Sequence, residues 1–297
     1  MEKKDYKIKK IKGYHDLGLY TYVFDQVKNP QAVIVIIHGM QEHAGRYIEH
    51  AREFNKQGFI VVMNDLRGHG KTIKDLSEYG YGEEDIYKES VQDELKVIEY
   101  VKKEYNLPIY LIGHSYGSMI SQSVIQNTDL VGKCVLSGTA DGSSPIMKIG
   151  AVFANIVSLF KNKKSKAGLI EKMCVGGYGK KFENGNWFSR DDKVLEEYKK
   201  DELCGGSFPF GFYKSMLSNM SKCNKNIDKI GDTEILLLAG DKDPVGSSGK
   251  QIISLNKRYI KKNKSSKYKL YENSRHEILN EINKQEVYDD IVNFFEN

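Results

Sequence analysis

Ile109-Tyr-Leu-Ile-Gly-His-Ser-Tyr-Gly117 runs an apolar strand pattern straight into a G-x-S-x-G pentapeptide, and residues 115–126 continue with helical spacing. The pentapeptide alone is a weak signal in a 297-residue chain that holds 27 glycines. Its setting gives it weight: strand, sharp turn, helix is the arrangement that presents a serine hydroxyl at the edge of a sheet. Such a turn strains the serine backbone, and a Cβ at either flanking position would strike the neighbouring strand or helix, which accounts for the two glycines. Ser115 is therefore expected at the carboxyl edge of a sheet with its Oγ exposed.

Upstream, Ala32-Val-Ile-Val-Ile-Ile37 is a continuous apolar run, the pattern of a strand buried on both faces of a parallel sheet. Residues 59–63 and 234–238 repeat it, and 130–136 do so more weakly. Residues 6–11 and 18–24 predict two short strands joined by a polar turn, an antiparallel opening. Helical spacing over 46–57 and over 84–105, with Val91, Leu95, Ile98 and Val101 on one face, separates the later strands. A last strand over 267–271 and a closing helix over 281–295 complete the pattern. Strand and helix alternate, so the expected class is α/β with a mostly parallel, doubly wound sheet.

The alternation breaks at about Gly138 and resumes near Ile227. The expected organisation is a core built from 1–137 and 227–297, with a helical cap inserted over 138–226. Within the insertion, 146–160 and 193–200 read as helices. Phe208-Pro-Phe-Gly-Phe-Tyr213 is either the insertion's own small core or a wall facing substrate, and it can be both.

The chain carries a formal net charge of +5, with lysines concentrated near 161–166 and 257–269. No RNA-recognition, zinc-finger or helix-turn-helix pattern interleaves with them, so nucleic acid is not an expected partner, while contact with an anionic membrane surface stays open. The four cysteines, Cys134, Cys174, Cys204 and Cys223, form no C-x-x-C pair and no metal spacing, as free thiols in a reducing compartment would. Residues 1–12 are rich in lysine and lack the apolar core of a signal peptide, and the longest apolar runs are too short to span a bilayer. A soluble cytoplasmic protein is expected. Nothing in the sequence speaks to its oligomeric state.

A serine hydroxyl needs a base, and in this strand-turn-helix setting the partners follow in the order serine, acid, histidine. Six of the seven histidines (His15, His38, His43, His50, His69 and His114) precede the serine; only His276 follows it. His276 sits between the last expected strand and the closing helix, a loop position suited to a general base. The acid should leave a strand edge on the same side as the serine, and Asp241 and Asp243, directly after 234–238, both qualify. Asp243 is favoured, with Asp241 in a turn or capping role. An oxyanion would be held by the amide of Tyr116 at a helix start and by that of Met40 in the loop after 32–37, where Gly39 permits a close turn. His38 and His43 then shape that loop.

His38-Gly-Met-Gln-Glu-His-Ala-Gly-Arg-Tyr47, Asp65-Leu-Arg-Gly-His-Gly70, Gly113-His-Ser-Tyr-Gly117, Gly240-Asp-Lys-Asp-Pro-Val245 and His276, in this order across nearly the whole chain, resemble the monoacylglycerol lipase and lysophospholipase family of α/β-hydrolases. The resemblance implies a carboxylester hydrolase acting on small lipid esters with one acyl chain, through Ser115, Asp243 and His276, with Met40 and Tyr116 as the oxyanion hole. It implies no metal or organic cofactor, and a cap over the active site. Tyr116 stands where many members have Met, which changes a side chain and spares the amide. Lysines 161, 163, 164 and 166 in the insertion suit phosphate-bearing or membrane-bound lipids.

Two other readings share these residues. The same triad serves an aminopeptidase or a thioesterase, and an aminopeptidase would need carboxylates such as Glu171, Glu183, Asp191 or Asp192 to hold an ammonium group. A binding protein without turnover would have no use for the three residues together.

Overall fold

The computed structural model describes residues 5–297, so the first four residues of the expected core segment lie outside the described residues. In chain order the strands are β1 (Lys7–Lys12), β2 (Gly18–Phe24), β3 (Ala32–Ile37), β4 (Phe59–Asn64), β5 (Ile109–His114), β6 (Val131–Ser137), β7 (Glu234–Gly240) and β8 (Ser266–Tyr271). The helices are α1 (Ile48–Lys56), α2 (Ile86–Tyr105), α3 (Tyr116–Val124), α4 (Pro145–Val157), α5 (Leu169–Cys174), α6 (Asp192–Lys200), α7 (Phe210–Cys223), α8 (Lys250–Lys261) and α9 (Lys284–Glu296). The eight strands form one sheet in the order β1-β2-β4-β3-β5-β6-β7-β8. β1 and β2 are antiparallel to each other, β2 is antiparallel to β4, and the remaining pairs are parallel. The fold is that of the α/β-hydrolases.

The apolar runs follow from burial on both sides. In β3, Val33, Val35 and Ile37 join one core with residues of α2, α3 and α8, while Ile34 and Ile36 join a second core with α1 and α9. A strand between two helix layers has no face left for a polar residue. Each such side chain contributes roughly 1.5–3 kcal/mol when fully buried.

Several boundaries differ from the sequence reading, each for a local reason. The helix expected from 46 begins as a 3-10 turn over Ala44–Tyr47, opened by the His43 side chain accepting from the Gly45 amide, and becomes α-helical at Ile48. The closing helix begins at Lys284, after a separate 3-10 turn over Ile278–Asn280. The helix expected to reach 160 stops at Val157. Helices α7 and α8 carry no assignment in the sequence reading, although α8 buries Ile252, Leu255 and Tyr259 on one face.

Between β6 and β7 the chain runs through α4 to α7 and adds no strand to the sheet. The 208–213 aromatics are a packing feature. Phe208, Phe210, Phe212 and Tyr213 are buried and continuous with the main core, with Phe212 4.9 Å from the Tyr116 ring and Phe208 5.0 Å from the His69 ring. The substrate-facing alternative for that patch falls, because none of the four lines a cavity reached by Ser115. No helix among the described residues is long and apolar enough to cross a membrane.

Candidate active site

Ser115 stands between β5 and α3 with φ 51° and ψ −118°, a conformation an L-residue holds only when its surroundings impose it, at about 1–3 kcal/mol. The imposing contacts are visible. The Ser115 amide donates to the Ser137 carbonyl at 2.9 Å, and the Ser115 carbonyl accepts from the Ser118 and Met119 amides. A Cβ on Gly117 would lie 2.2 Å from the Ile37 carbonyl oxygen, so helix α3 can close onto β3 only through glycine.

His276 lies in the loop after β8, buried, with Nδ1 3.0 Å from Asp243 Oδ1. Asp243 is fully buried after β7, and its Oδ1 also accepts from the Val245 amide at 2.8 Å. Asp241, the other candidate, turns outward to Lys242 at 3.1 Å and makes no contact with the imidazole. Burial alone would lower the His276 pKa, but the adjacent Asp243 carboxylate outweighs it and holds the group above the usual imidazole range. Since Nδ1 donates to the carboxylate, Nε2 is the basic nitrogen, and it bonds no group among the described residues. It shares a cavity of about 200 Å³ with Ser115. Hydrogen bonds of this kind are commonly long before substrate binds and tighten in the complex.

The loop after β3 is braced by its histidines. The Leu66 amide donates to His38 Nε2 at 2.9 Å, so His38 Nδ1 carries the proton and donates to the Gly39 carbonyl at 2.8 Å. Burial keeps His38 neutral. His43 accepts from the Gly45 amide through Nδ1 and gives Nε2–H to Asp201 at 2.8 Å. His43, Asp201 and Cys204 cluster closely enough to suggest a metal, yet the amide facing Nδ1 fixes Nε2 as a donor, and the group works as a hydrogen bond. Met40 lines the Ser115 cavity, and the Tyr116 amide is the first of α3, where amides have no intrahelical acceptor.

Five residues beyond the sequence-derived set border the site: Glu42, Arg46, Glu277, Gly138 and Trp187. Glu42 accepts from the Gly39 amide at 2.5 Å and from Tyr47 at 2.8 Å, and it also contacts Arg46. Arg46 forks onto Glu277 at 2.8 and 3.1 Å. One part-buried guanidinium thus ties the β3 loop to the residue beside His276. Burial would raise the Glu277 pKa, but Arg46 pulls it down to about 2, while Glu42 is pushed up by burial. Gly138, at φ 58°, leaves room for the imidazole, since a Cβ there would come within 2.9 Å of it. The Trp187 ring lies 5.0 Å from that of His276, tilted by 32°, and the His276 and Glu277 amides donate to the carbonyls of Trp187 and Phe188 at 3.3 and 2.7 Å. The sequence pattern gives no sign of Trp187 or Gly138; Glu42 and Arg46 sit inside the quoted His38–Tyr47 motif and could have been singled out there.

Two chambers meet at the serine. The 200 Å³ chamber sets the charged groups of Glu42, Arg46 and Glu277 beside Met40, Val175, Trp187, Phe188 and Tyr198. The other, of about 280 Å³, is walled by Met119, Met147, Ile170, Met173, Met216 and Leu217 among others. Ser115, Met40 and Trp187 border both. None of Glu171, Glu183, Asp191 and Asp192, the carboxylates named for an ammonium group, lines either chamber.

A family model described as serine aminopeptidase, S33, matches residues 28–283. The chain is 24% identical over 272 residues to the monoglyceride lipase homolog of Monkeypox virus, covering 89% of this chain and 88% of that one. It is 26% identical over 282 residues to the monoacylglycerol lipase of Mycolicibacterium smegmatis, covering 90% and 88%. Among solved structures it superposes on a thermostable carboxyl esterase from Bacillus coagulans in complex with glycerol, with a TM-score of 0.88, 24% identity and 99% of both chains covered.

Proposed function

The chain belongs to the family described as serine aminopeptidase, S33, and is a serine hydrolase; within that family we propose that it hydrolyses carboxylic esters of lipids with a single acyl chain, through an acyl-serine intermediate. The observation that carries this reading is the pair of chambers meeting at Ser115: a larger one walled largely by Met, Ile and Leu side chains for an acyl chain and a smaller one that adds the charged groups of Glu42, Arg46 and Glu277 for the alcohol. Relatives named as monoglyceride and monoacylglycerol lipases support it.

His276 Nε2 takes the Ser115 proton as Oγ attacks the ester carbonyl, and the Met40 and Tyr116 amides hold the oxyanion. His276 then protonates the departing alcohol and activates water for deacylation. Asp243 keeps the imidazole in the tautomer that leaves Nε2 basic, and it stabilises the imidazolium while the proton is held. The core comprises 1–137 and 227–297, and 138–226 forms the cap that supplies most of the apolar wall.

An aminopeptidase would require a free carboxylate for the substrate ammonium. Glu42 and Glu277 are both engaged by Arg46, which argues for a neutral or polar alcohol in that chamber. A chain-length series of monoacylglycerols and lysophospholipids, run beside aminoacyl-nitroanilides with Ser115→Ala as control, tests the reading. Serine-dependent turnover confined to the lipid esters is expected; turnover of the nitroanilides instead would replace the reading with the peptidase one.

A further inference from the structure

Gln41 holds a backbone conformation that its side chain does not favour. Its φ is 59°, in the left-handed region, where every other non-glycine residue among those described is Asn, Asp, His or Ser. A glycine would make this turn at no steric cost, whereas a glutamine makes it only while its surroundings hold it there. Those surroundings come from the segment between β6 and β7. The Gly205 amide donates to the Gln41 carbonyl at 2.9 Å, and Gln41 Nε2 donates to the Gly206 carbonyl at 2.7 Å and to Glu171 Oε1 at 3.4 Å. These partners are fixed in their turn. Glu171 accepts from the Ser207 and Tyr213 hydroxyls at 2.8 and 3.1 Å. Gly206 lies so close to Tyr79 that a Cβ there would come within 2.5 Å of the ring, and the Tyr79 hydroxyl donates to the Leu203 carbonyl at 3.1 Å.

Gln41 follows Met40 directly. The peptide that carries the Met40 amide ends in the Gly39 carbonyl, which accepts from His38 Nδ1 at 2.8 Å, and a planar trans peptide then sets the direction of the Met40 N–H. The Gly39 amide is held by Glu42. Core side chains thus fix the loop before Met40, and the 205–206 segment fixes it after. The Met40 amide itself makes no hydrogen bond among the described residues, and Met40, Gln41 and Gly205 all line the cavity that holds Ser115.

We infer that Gln41 is a positioning residue for the hydrolysis. Through its left-handed backbone and its bonds to Gly205, Gly206 and Glu171 it sets the Met40 amide where an oxyanion forms, so the oxyanion hole is complete only while the 203–207 segment is docked on the β3 loop. Gln41 itself touches no reacting atom. The inference rests on the reading of Ser115 as nucleophile and of the Met40 amide as oxyanion donor. A donor displaced by about 1 Å forfeits up to about a hundredfold in rate.

Steady-state kinetics on a water-soluble short-chain ester tests it. Gln41→Ala, which keeps the Cβ and loses the side-chain amide, should lower kcat about ten- to hundredfold and leave KM within about twofold. Gln41→Gly, free to take the same φ without strain, should recover part of that loss. The inhibition constant of a boronic acid, whose tetrahedral serine adduct puts an oxygen where the oxyanion forms, should rise by the factor by which kcat falls. The pH midpoint of kcat/KM should not move, since His276 and Asp243 are untouched. Glu171→Ala should cost a few-fold alone and nothing more in the Gln41→Ala background. Melting temperatures close to that of the wild type show that the variants fold. Wild-type kcat in Gln41→Ala would overturn the inference, as would a loss confined to KM, a boronic acid bound as tightly as before, or losses from Gln41→Ala and Glu171→Ala that simply add. Turnover that survives Ser115→Ala would instead remove the serine reading beneath it.

Discussion

The sheet and the region between β6 and β7 are built on opposite principles. Strands β3 and β4 have every residue buried, and the turn that carries Ser115 is held by backbone contacts from β6, through Ser137, and β3, through Ile37. By contrast α6 buries no residue, and α4 and α5 expose apolar side chains to solvent. The first region holds atoms to the tolerance that bond-making needs; the second trades packing for shape and surface. Chemistry written in the first should be brittle to substitution, and selectivity written in the second should be tunable. Among the places where the two touch is a seam at which Trp187 and Phe188 meet the His276 loop and Arg190 pairs with Glu281 at 2.8 Å.

The largest expected losses are therefore in the core. Ser115→Ala and His276→Ala should each lower kcat/KM by about four to six orders of magnitude with little change in thermal stability, measured on a soluble ester. Either variant retaining ordinary activity would break the division between the regions.

Next comes the acid. Asp243→Asn should cost about a thousand- to ten-thousandfold in kcat, whereas Asp241→Asn, whose carboxylate faces Lys242, should stay within a few-fold. The pH dependence carries the same information. Protonated His276 cannot accept the serine proton, so kcat/KM should fall as pH drops through a midpoint above the ordinary imidazole range, and Asp243→Asn should move that midpoint down. For stability the sign is reversed. A raised folded pKa contributes stability that is fully present below the unfolded value and is lost as pH rises through the folded one.

At the seam between the two regions, Arg46→Ala would leave Glu42 and Glu277 buried without their shared cation. A stability loss of about 3–5 kcal/mol by denaturant titration is expected. Smallest is Trp187→Ala, which removes the ring beside that of His276 and should lower kcat about tenfold while Trp187→Phe restores most of it. Trp187 is the chain's one tryptophan, so wild-type fluorescence should titrate with the same midpoint as kcat/KM. A midpoint elsewhere would uncouple the Trp187 segment from His276.

The legible parts of this molecule are those whose pattern is local. A run such as 32–37 declares itself because burial on both faces excludes every polar residue, and a G-x-S-x-G between strand and helix declares the serine. The place of His276 beside Asp243 and the Ser115 cavity was legible because chain order leaves no other histidine after the serine. Helices α7 and α8 went unread for a different reason. The first hides inside an aromatic cluster that spacing alone assigns to no element, and the second mixes its buried Ile252, Leu255 and Tyr259 with lysines. What joins distant segments stayed dark: Arg46 and Glu277 are 231 residues apart, and nothing near Trp187 announces that its carbonyl will accept from His276. Such pairings exist only once the sheet has brought the loops together.

The nucleophile we propose is Ser115, activated by the buried His276–Asp243 pair. Peptide mass spectrometry after reaction with a fluorophosphonate tests it most directly. One adduct is expected, on Ser115, lost in His276→Ala; an adduct on another residue, or none on the active protein, would rule Ser115 out.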